Sequence, residues 1–119
     1  MADEDKHQLI RSLKREFDAK QAQLRNVDVQ RRTVEAQLRR AAYTAAQLDE
    51  LPENVGTYRA VGKAYFLQPK AAIMGHLEES VKGSDGELKK LSASREALAK
   101  AADGLRSELT ELIGSLQRR

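Results

Sequence analysis

The sequence contains no cysteine, and only 4% of its residues are aromatic. The first absence excludes disulfide frameworks and thiolate metal sites. No apolar run approaches the roughly 20 residues that span a bilayer. The first eight residues, MADEDKHQ, are too polar for a signal peptide. These absences predict a cytoplasmic protein without a membrane partner, with the nucleus as an alternative location.

Sequence patterns typical of catalytic sites are also missing. His7 and His76 are far apart and have no ligand-spaced carboxylates around them. There is no glycine-rich phosphate loop between a strand and a helix, and no Ser-His-Asp arrangement. We therefore expect no enzymatic activity, no cofactor and no metal. Nucleic acid is not an expected partner either, because few aromatic residues lie among the basic ones.

What the sequence does contain is charge, at 33% of residues, together with many Ala, Leu, Glu, Lys and Arg. This composition is typical of long helices and coiled coils, and 119 residues fit a single domain, 1–119. From Lys6 to Leu48 there are ten Lys or Arg against four Asp or Glu. That basic segment is either a solvated helix face or a surface for an acidic partner.

A seven-residue apolar pattern starts at Ile10 and predicts a helix over residues 9–48, with residues 1–8 frayed. The helix is expected to end near Leu48, because Pro52 disfavours helix at Leu51. Two basic residues interrupt the predicted buried seam. Its members are Ile10, Leu13, Phe17, Lys20, Leu24, Val27, Arg31, Val34, Leu38, Ala41, Ala45 and Leu48.

A second seam predicts a nearly continuous helix over residues 69–117, beginning at Pro69. Its members are Met74, Leu77, Val81, Ser84, Leu88, Leu91, Arg95, Leu98, Ala102, Leu105, Leu109, Leu112 and Leu116. Gly83, Gly86, Gly104 and Gly114 lie within this segment, and each costs up to about 1 kcal/mol relative to Ala. The weakest point of the predicted helix is the stretch Gly83-Ser84-Asp85-Gly86.

Between the two helices, residues 54–68 read NVGTYRAVGKAYFLQ and predict a β-hairpin with its turn near Val61–Gly62–Lys63. Isolated two-stranded hairpins are marginal in water and have open edges. We therefore expect the hairpin to join strands of other subunits in a closed barrel. The alternative is a hairpin that only caps a monomeric helix pair.

The predicted fold is mostly α, a long antiparallel two-helix coiled coil with one β-hairpin inserted between the helices. In an antiparallel helix pair, the residue numbers of two facing positions have a constant sum, which we expect to be about 118 here. With that register, the apolar residues Leu112, Ile113 and Leu116 face the polar residues 2–6. Exposed apolar side chains usually mark an interaction site. The alternatives are a frayed C-terminus or a slightly different register.

The central residues resemble a known family. They are similar to the hairpin and following helix of β-type prefoldin subunits, above all the eukaryotic subunit 1 type. The residues that carry this similarity are Tyr58, Val61-Gly62-Lys63, Phe66-Leu67-Gln68 and Lys70-Ala71-Ala72-Ile73. A single hairpin also fits the β-type rather than the α-type.

The resemblance implies a heterohexameric co-chaperone of two α-type and four β-type subunits, so the partners are two α-type and three further β-type chains. Their hairpins form a double β-barrel with six coiled-coil tentacles. The tentacle tips hold unfolded or nascent proteins, notably actin and tubulin, and deliver them to the cytosolic group II chaperonin without nucleotide. A structural coiled-coil tether and a prefoldin-like complex in transcription or complex assembly are the alternatives.

Two sets of site residues follow from this interpretation. The predicted oligomerisation hairpin comprises Val55, Thr57, Tyr58, Val61, Gly62, Tyr65, Phe66 and Leu67. The predicted client-binding end comprises Leu9, Ile10, Leu13, Leu109, Leu112, Ile113 and Leu116.

Overall fold

The structure, a computed structural model, describes residues 2–118 and has two long helices with a β-hairpin between them. The elements are α1 (Asp3–Asp49), β1 (Thr57–Val61), β2 (Ala64–Gln68) and α2 (Lys70–Gln117). The predicted mostly α fold with one inserted hairpin is confirmed.

The chain divides into two compact units. The terminal unit combines Met1–Arg31 with Lys90–Arg119, and the hairpin unit is Arg32–Lys89. Both helices contribute to each unit, and the β-hairpin belongs to the second. Among the described residues, neither helix is both long and apolar enough to cross a membrane.

Helix α1 begins at Asp3, earlier than the predicted start at residue 9. Its first turn carries three acidic residues, Asp3, Glu4 and Asp5, which stabilise the positive end of the helix dipole. The Lys6 amide donates to the carbonyl of Ala2 at 3.1 Å. The early start therefore depends on electrostatics and local hydrogen bonding, which an apolar periodicity does not report.

The two helices bury the predicted seams. In α1, all twelve seam positions are buried or half-buried, including Lys20 and Arg31. In α2, Arg95 is the one exposed seam position among thirteen. The most buried apolar residues are Leu13, Val34 and Ala102. The seven-residue spacing thus predicts correctly which helix faces pack together.

Polar contacts in the terminal unit show the helix register. The Lys6 ammonium donates to the Ser115 hydroxyl oxygen at 2.8 Å, and Arg95 Nε donates to Asp28 Oδ1 at 2.8 Å. The residue numbers of these two facing pairs sum to 121 and 123. The expected sum of 118 is therefore wrong, and the two helices are displaced from the predicted register by about one helical turn. A heptad repeat does not distinguish registers one turn apart, whereas individual polar contacts do.

Helix α2 is continuous through its five internal glycines and shows no break at residues 83–86. It begins at Lys70, and the preceding Pro69 carbonyl accepts hydrogen bonds from the amides of Ala72 and Ile73 at 3.0 and 3.2 Å. Packing of a long apolar seam offsets the helix-propensity cost of the glycines, because tertiary contacts supply most helix stability in proteins.

Lys70 joins the end of α1 to the start of α2 in the hairpin unit. Its ammonium donates to the carbonyl oxygens of Leu51 at 2.9 Å and Asp49 at 3.3 Å, and lies 3.9 Å from Glu53 Oε1. Helix α1 has no basic residue in its own last turn. Lys70 therefore supplies the positive charge that favours a helix C-terminus.

We predict that Lys70→Met lowers the free energy of unfolding by about 1–2 kcal/mol, because it keeps the aliphatic stem and removes the helix-capping hydrogen bonds. Urea denaturation followed by circular dichroism at 222 nm measures this change. Lys82→Met, at an exposed position of α2, is the matched control. Equal stability of the two variants would show that the capping contacts contribute nothing.

Candidate assembly and binding surfaces

The hairpin turns through a two-residue loop at Gly62 and Lys63, because Val61 pairs directly with Ala64. Gly62 has a φ of 62°, and no other residue in the described part of the chain has a positive φ. A positive φ at the first loop position alone is typical of a type II′ turn, whose twist matches that of the strands. Glycine adopts this conformation without steric cost.

The strand register assigns every hairpin side chain to one of two faces, since directly paired residues share a face. The tyrosine face, as we name it, comprises Tyr58, Ala60, Tyr65 and Leu67. The arginine face comprises Thr57, Arg59, Val61, Ala64, Phe66 and Gln68.

Both faces expose large apolar side chains. On the tyrosine face, Tyr58, Tyr65 and Leu67 are 64%, 76% and 67% exposed. On the arginine face, Val61 and Phe66 are 55% and 53% exposed. The sheet has only two strands in the described chain, so the outer edge of each strand has no strand partner there. Such a hairpin is an incomplete sheet, and burial of both faces and edges requires other strands.

Two residues of the predicted hairpin set occupy other environments. Thr57 is buried, and its hydroxyl donates to the carbonyl oxygen of Gln68, which fastens the base of the hairpin. Val55 lies before β1, where its amide donates to the carbonyl of Pro52 at 3.2 Å. Val55 therefore belongs to the turn that starts at Pro52. Strand β1 begins only at Thr57, later than the apolar pattern indicated.

The sequence interpretation left Arg59 and Ala60 out of the hairpin set. Successive side chains of a strand point to opposite faces, so the two-residue loop determines on which face Arg59 and Ala60 lie. Arg59 pairs directly with Phe66 and is exposed. The arginine face therefore combines a cation with apolar side chains.

The predicted client-binding residues all lie in the terminal unit but differ in exposure. Leu9 and Ile113 are 37% and 42% exposed, whereas Leu13 is buried in the seam at 7%. The remaining four are half-buried, namely Ile10, Leu109, Leu112 and Leu116. We name these six exposed or half-buried residues, without Leu13, the terminal apolar cluster.

An open groove of about 390 Å³ passes beside this cluster. Its lining residues are Leu9, Glu108, Glu111, Leu112 and Ser115. Leu112 thus shares a groove with Leu9, and the expectation that it faces residues 2–6 is wrong because the register differs. The sequence interpretation also missed Glu108 and Glu111. Helical spacing was the available signal, since Glu108 is one turn before Leu112.

In residues 2–118, no three His, Cys, Asp or Glu side chains converge in a group that could hold a metal ion. A second groove, of about 600 Å³ in the hairpin unit, is lined largely by small and polar side chains, among them Ala41, Thr44, Gly83 and Ser84.

Comparison with known proteins agrees with this geometry. The sequence model of the prefoldin subunit family matches residues 12–116. The chain is 30% identical over 113 residues to prefoldin subunit 1 of Arabidopsis thaliana, covering 95% of this chain and 88% of that protein. It is 28% identical over 108 residues to prefoldin subunit beta of Pyrobaculum neutrophilum, covering 91% and 86%.

A solved structure shares the fold. The crystal structure of the prefoldin beta subunit from Thermococcus strain KS-1 superposes with a TM-score of 0.81 and 19% identity, over 87% of this chain and 90% of that one. The resemblance to β-type prefoldin subunits is therefore confirmed, and it is consistent with the expectation that the protein is not an enzyme. The chain belongs to the prefoldin subunit family as a β-type member.

Proposed function

We propose that this chain enters a heterohexameric prefoldin through its hairpin and holds unfolded proteins with its terminal apolar cluster. The observation that carries the proposal is the exposure of large apolar side chains on both faces of the hairpin. Those side chains favour a hairpin that is covered by other subunits, since monomeric proteins rarely expose so much contiguous apolar surface.

Assembly follows from the needs of the hairpin. Each strand has an edge that accepts a further strand, and each face has apolar side chains that gain free energy when covered. Closure into a barrel with hairpins of two α-type and three further β-type subunits satisfies both needs. Family membership supports oligomerisation with other prefoldin subunits.

Client binding is proposed for the terminal apolar cluster. Leu9 and Ile113 are accessible, and Leu112 lines the adjoining groove. Each apolar contact contributes on the order of 1 kcal/mol, so several weak contacts hold varied unfolded chains without a fixed sequence. The proposed clients are nascent actin and tubulin, which pass without nucleotide to the cytosolic group II chaperonin. The proposed location is the cytoplasm, with the nucleus as a second site.

The test uses the complete complex reconstituted with Leu9→Ser and Ile113→Ser together. We expect its affinity for chemically denatured actin to fall by about 1–2 kcal/mol, because two accessible apolar side chains are lost. Light scattering of diluted actin at a series of complex concentrations measures the effect.

The matched control is Val29→Ser, which removes an exposed apolar side chain from α1 outside the cluster. Native mass spectrometry verifies that all complexes contain the same subunits. Suppression of actin aggregation that is equal for the double variant, the control and the wild type would contradict the client-binding role.

A further inference from the structure

The charged residues within the hairpin and the start of α2 are all basic. Residues 54–77 contain Arg59, Lys63 and Lys70 but no Asp or Glu. Lys70 is already engaged with the end of α1, and Lys63 lies in the turn. Arg59 is therefore the cation that lies within the sheet surface itself.

Arg59 is the central residue of β1 and pairs directly with Phe66. Its side chain is exposed, and no ion pair within 4 Å involves it among residues 2–118. Val61 and Phe66, which share its face, are also exposed. Because Arg59 shares a face with these two apolar side chains, we expect a partner that covers them to remove water from its guanidinium as well.

An arginine that loses its hydration without gaining a partner opposes association. A carboxylate is the group whose geometry matches the guanidinium, because it accepts two parallel N–H hydrogen bonds. The Lys63 ammonium, by contrast, is placed in the loop, where it remains hydrated at the surface.

We propose that Arg59 is a specificity-determining residue that selects a neighbouring subunit carrying an Asp or Glu opposite it. This inference rests on the proposed assembly through the hairpin. A second copy of this chain does not fit, because its hairpin brings the same cations and no carboxylate. Like charges brought together in an interface suppress the wrong partner.

The probe is the set of prefoldin subunits from the same organism, co-expressed with this chain. Arg59→Gln keeps length and polarity but leaves the partner carboxylate unpaired, so we expect incorporation of this chain to weaken about 30-fold or more. Arg59→Glu is expected to weaken it further. Arg59→Lys is expected to retain most incorporation, and Lys63→Gln, which changes the turn, serves as the matched control.

A chemical test identifies the partner group directly. In the complex of the Arg59→Lys variant, a carbodiimide joins the introduced amine to a carboxylate in contact with it. Peptide mass spectrometry is expected to find this amide link between subunits at an Asp or Glu of a different chain. The Arg59→Gln complex is expected to lack the link.

The outcomes separate the two proposals. If the wild-type chain does not assemble with the co-expressed subunits, the hairpin assembly itself is wrong. If wild type and Arg59→Gln assemble equally well, assembly stands and the role of Arg59 is overturned. A closed oligomer of the wild-type chain alone, in which position 59 is protected, would also overturn the selection of a carboxylate-bearing neighbour.

Discussion

Replacing Leu67 with Asp is expected to remove this chain from its complex while leaving the isolated chain folded. Leu67 is 67% exposed on the tyrosine face, so a carboxylate there remains hydrated in the monomer. In the proposed barrel the same carboxylate is buried among apolar side chains without a partner, which costs several kcal/mol. We expect at least a tenfold lower yield of complex on native gels after co-expression.

Asp also has a low preference for strands, and two further variants separate this effect from burial. Leu67→Thr keeps strand preference and is expected to assemble better than Leu67→Asp. Gln47→Asp introduces the same residue at an exposed position of α1 and is expected to assemble normally. A normal yield of complex from Leu67→Asp would mean that the tyrosine face is not covered by other subunits.

The second large effect is expected at the seam. Val34 is only 5% exposed, so Val34→Asn both removes apolar burial and leaves an amide without solvent. Together these losses lower the free energy of unfolding by about 3 kcal/mol. The expected result is a much lower midpoint in urea denaturation followed at 222 nm.

Val29 offers a matched control on the same helix, because it is 54% exposed. Val29→Asn changes helix preference by the same amount as Val34→Asn but places the new amide at an exposed position. It is expected to change stability by less than about 1 kcal/mol. Similar stability of the two variants would contradict the packing of α1 and α2 along the predicted seam.

The sequence predicts the elements of this fold because each has a strong local signal. Seven-residue spacing identifies the buried faces of both helices, and Gly62 between two β-rich runs identifies the hairpin turn. The start of α1 at Asp3 could not be predicted from apolar periodicity, because the first turns of the helix lack apolar residues at heptad spacing. The acidic first turn was the signal that indicated an earlier start.

The helix register and the details of the site needed the structure. A heptad pattern fits nearly as well one turn away, whereas the bond between Asp28 and Arg95 selects one register. That register brings Leu112 beside Leu9 and buries Leu13. The pairing of Arg59 with Phe66 likewise depends on a loop of two residues, since a one-residue difference changes the paired partners.

The most direct test of the account is native mass spectrometry of the endogenous complex, isolated through a tag on this chain. We predict a heterohexamer of small subunits in which this chain is present once, beside two α-type and three further β-type chains. A homodimer or a free monomer would contradict it, because the apolar faces of the hairpin would then not be covered by other prefoldin subunits.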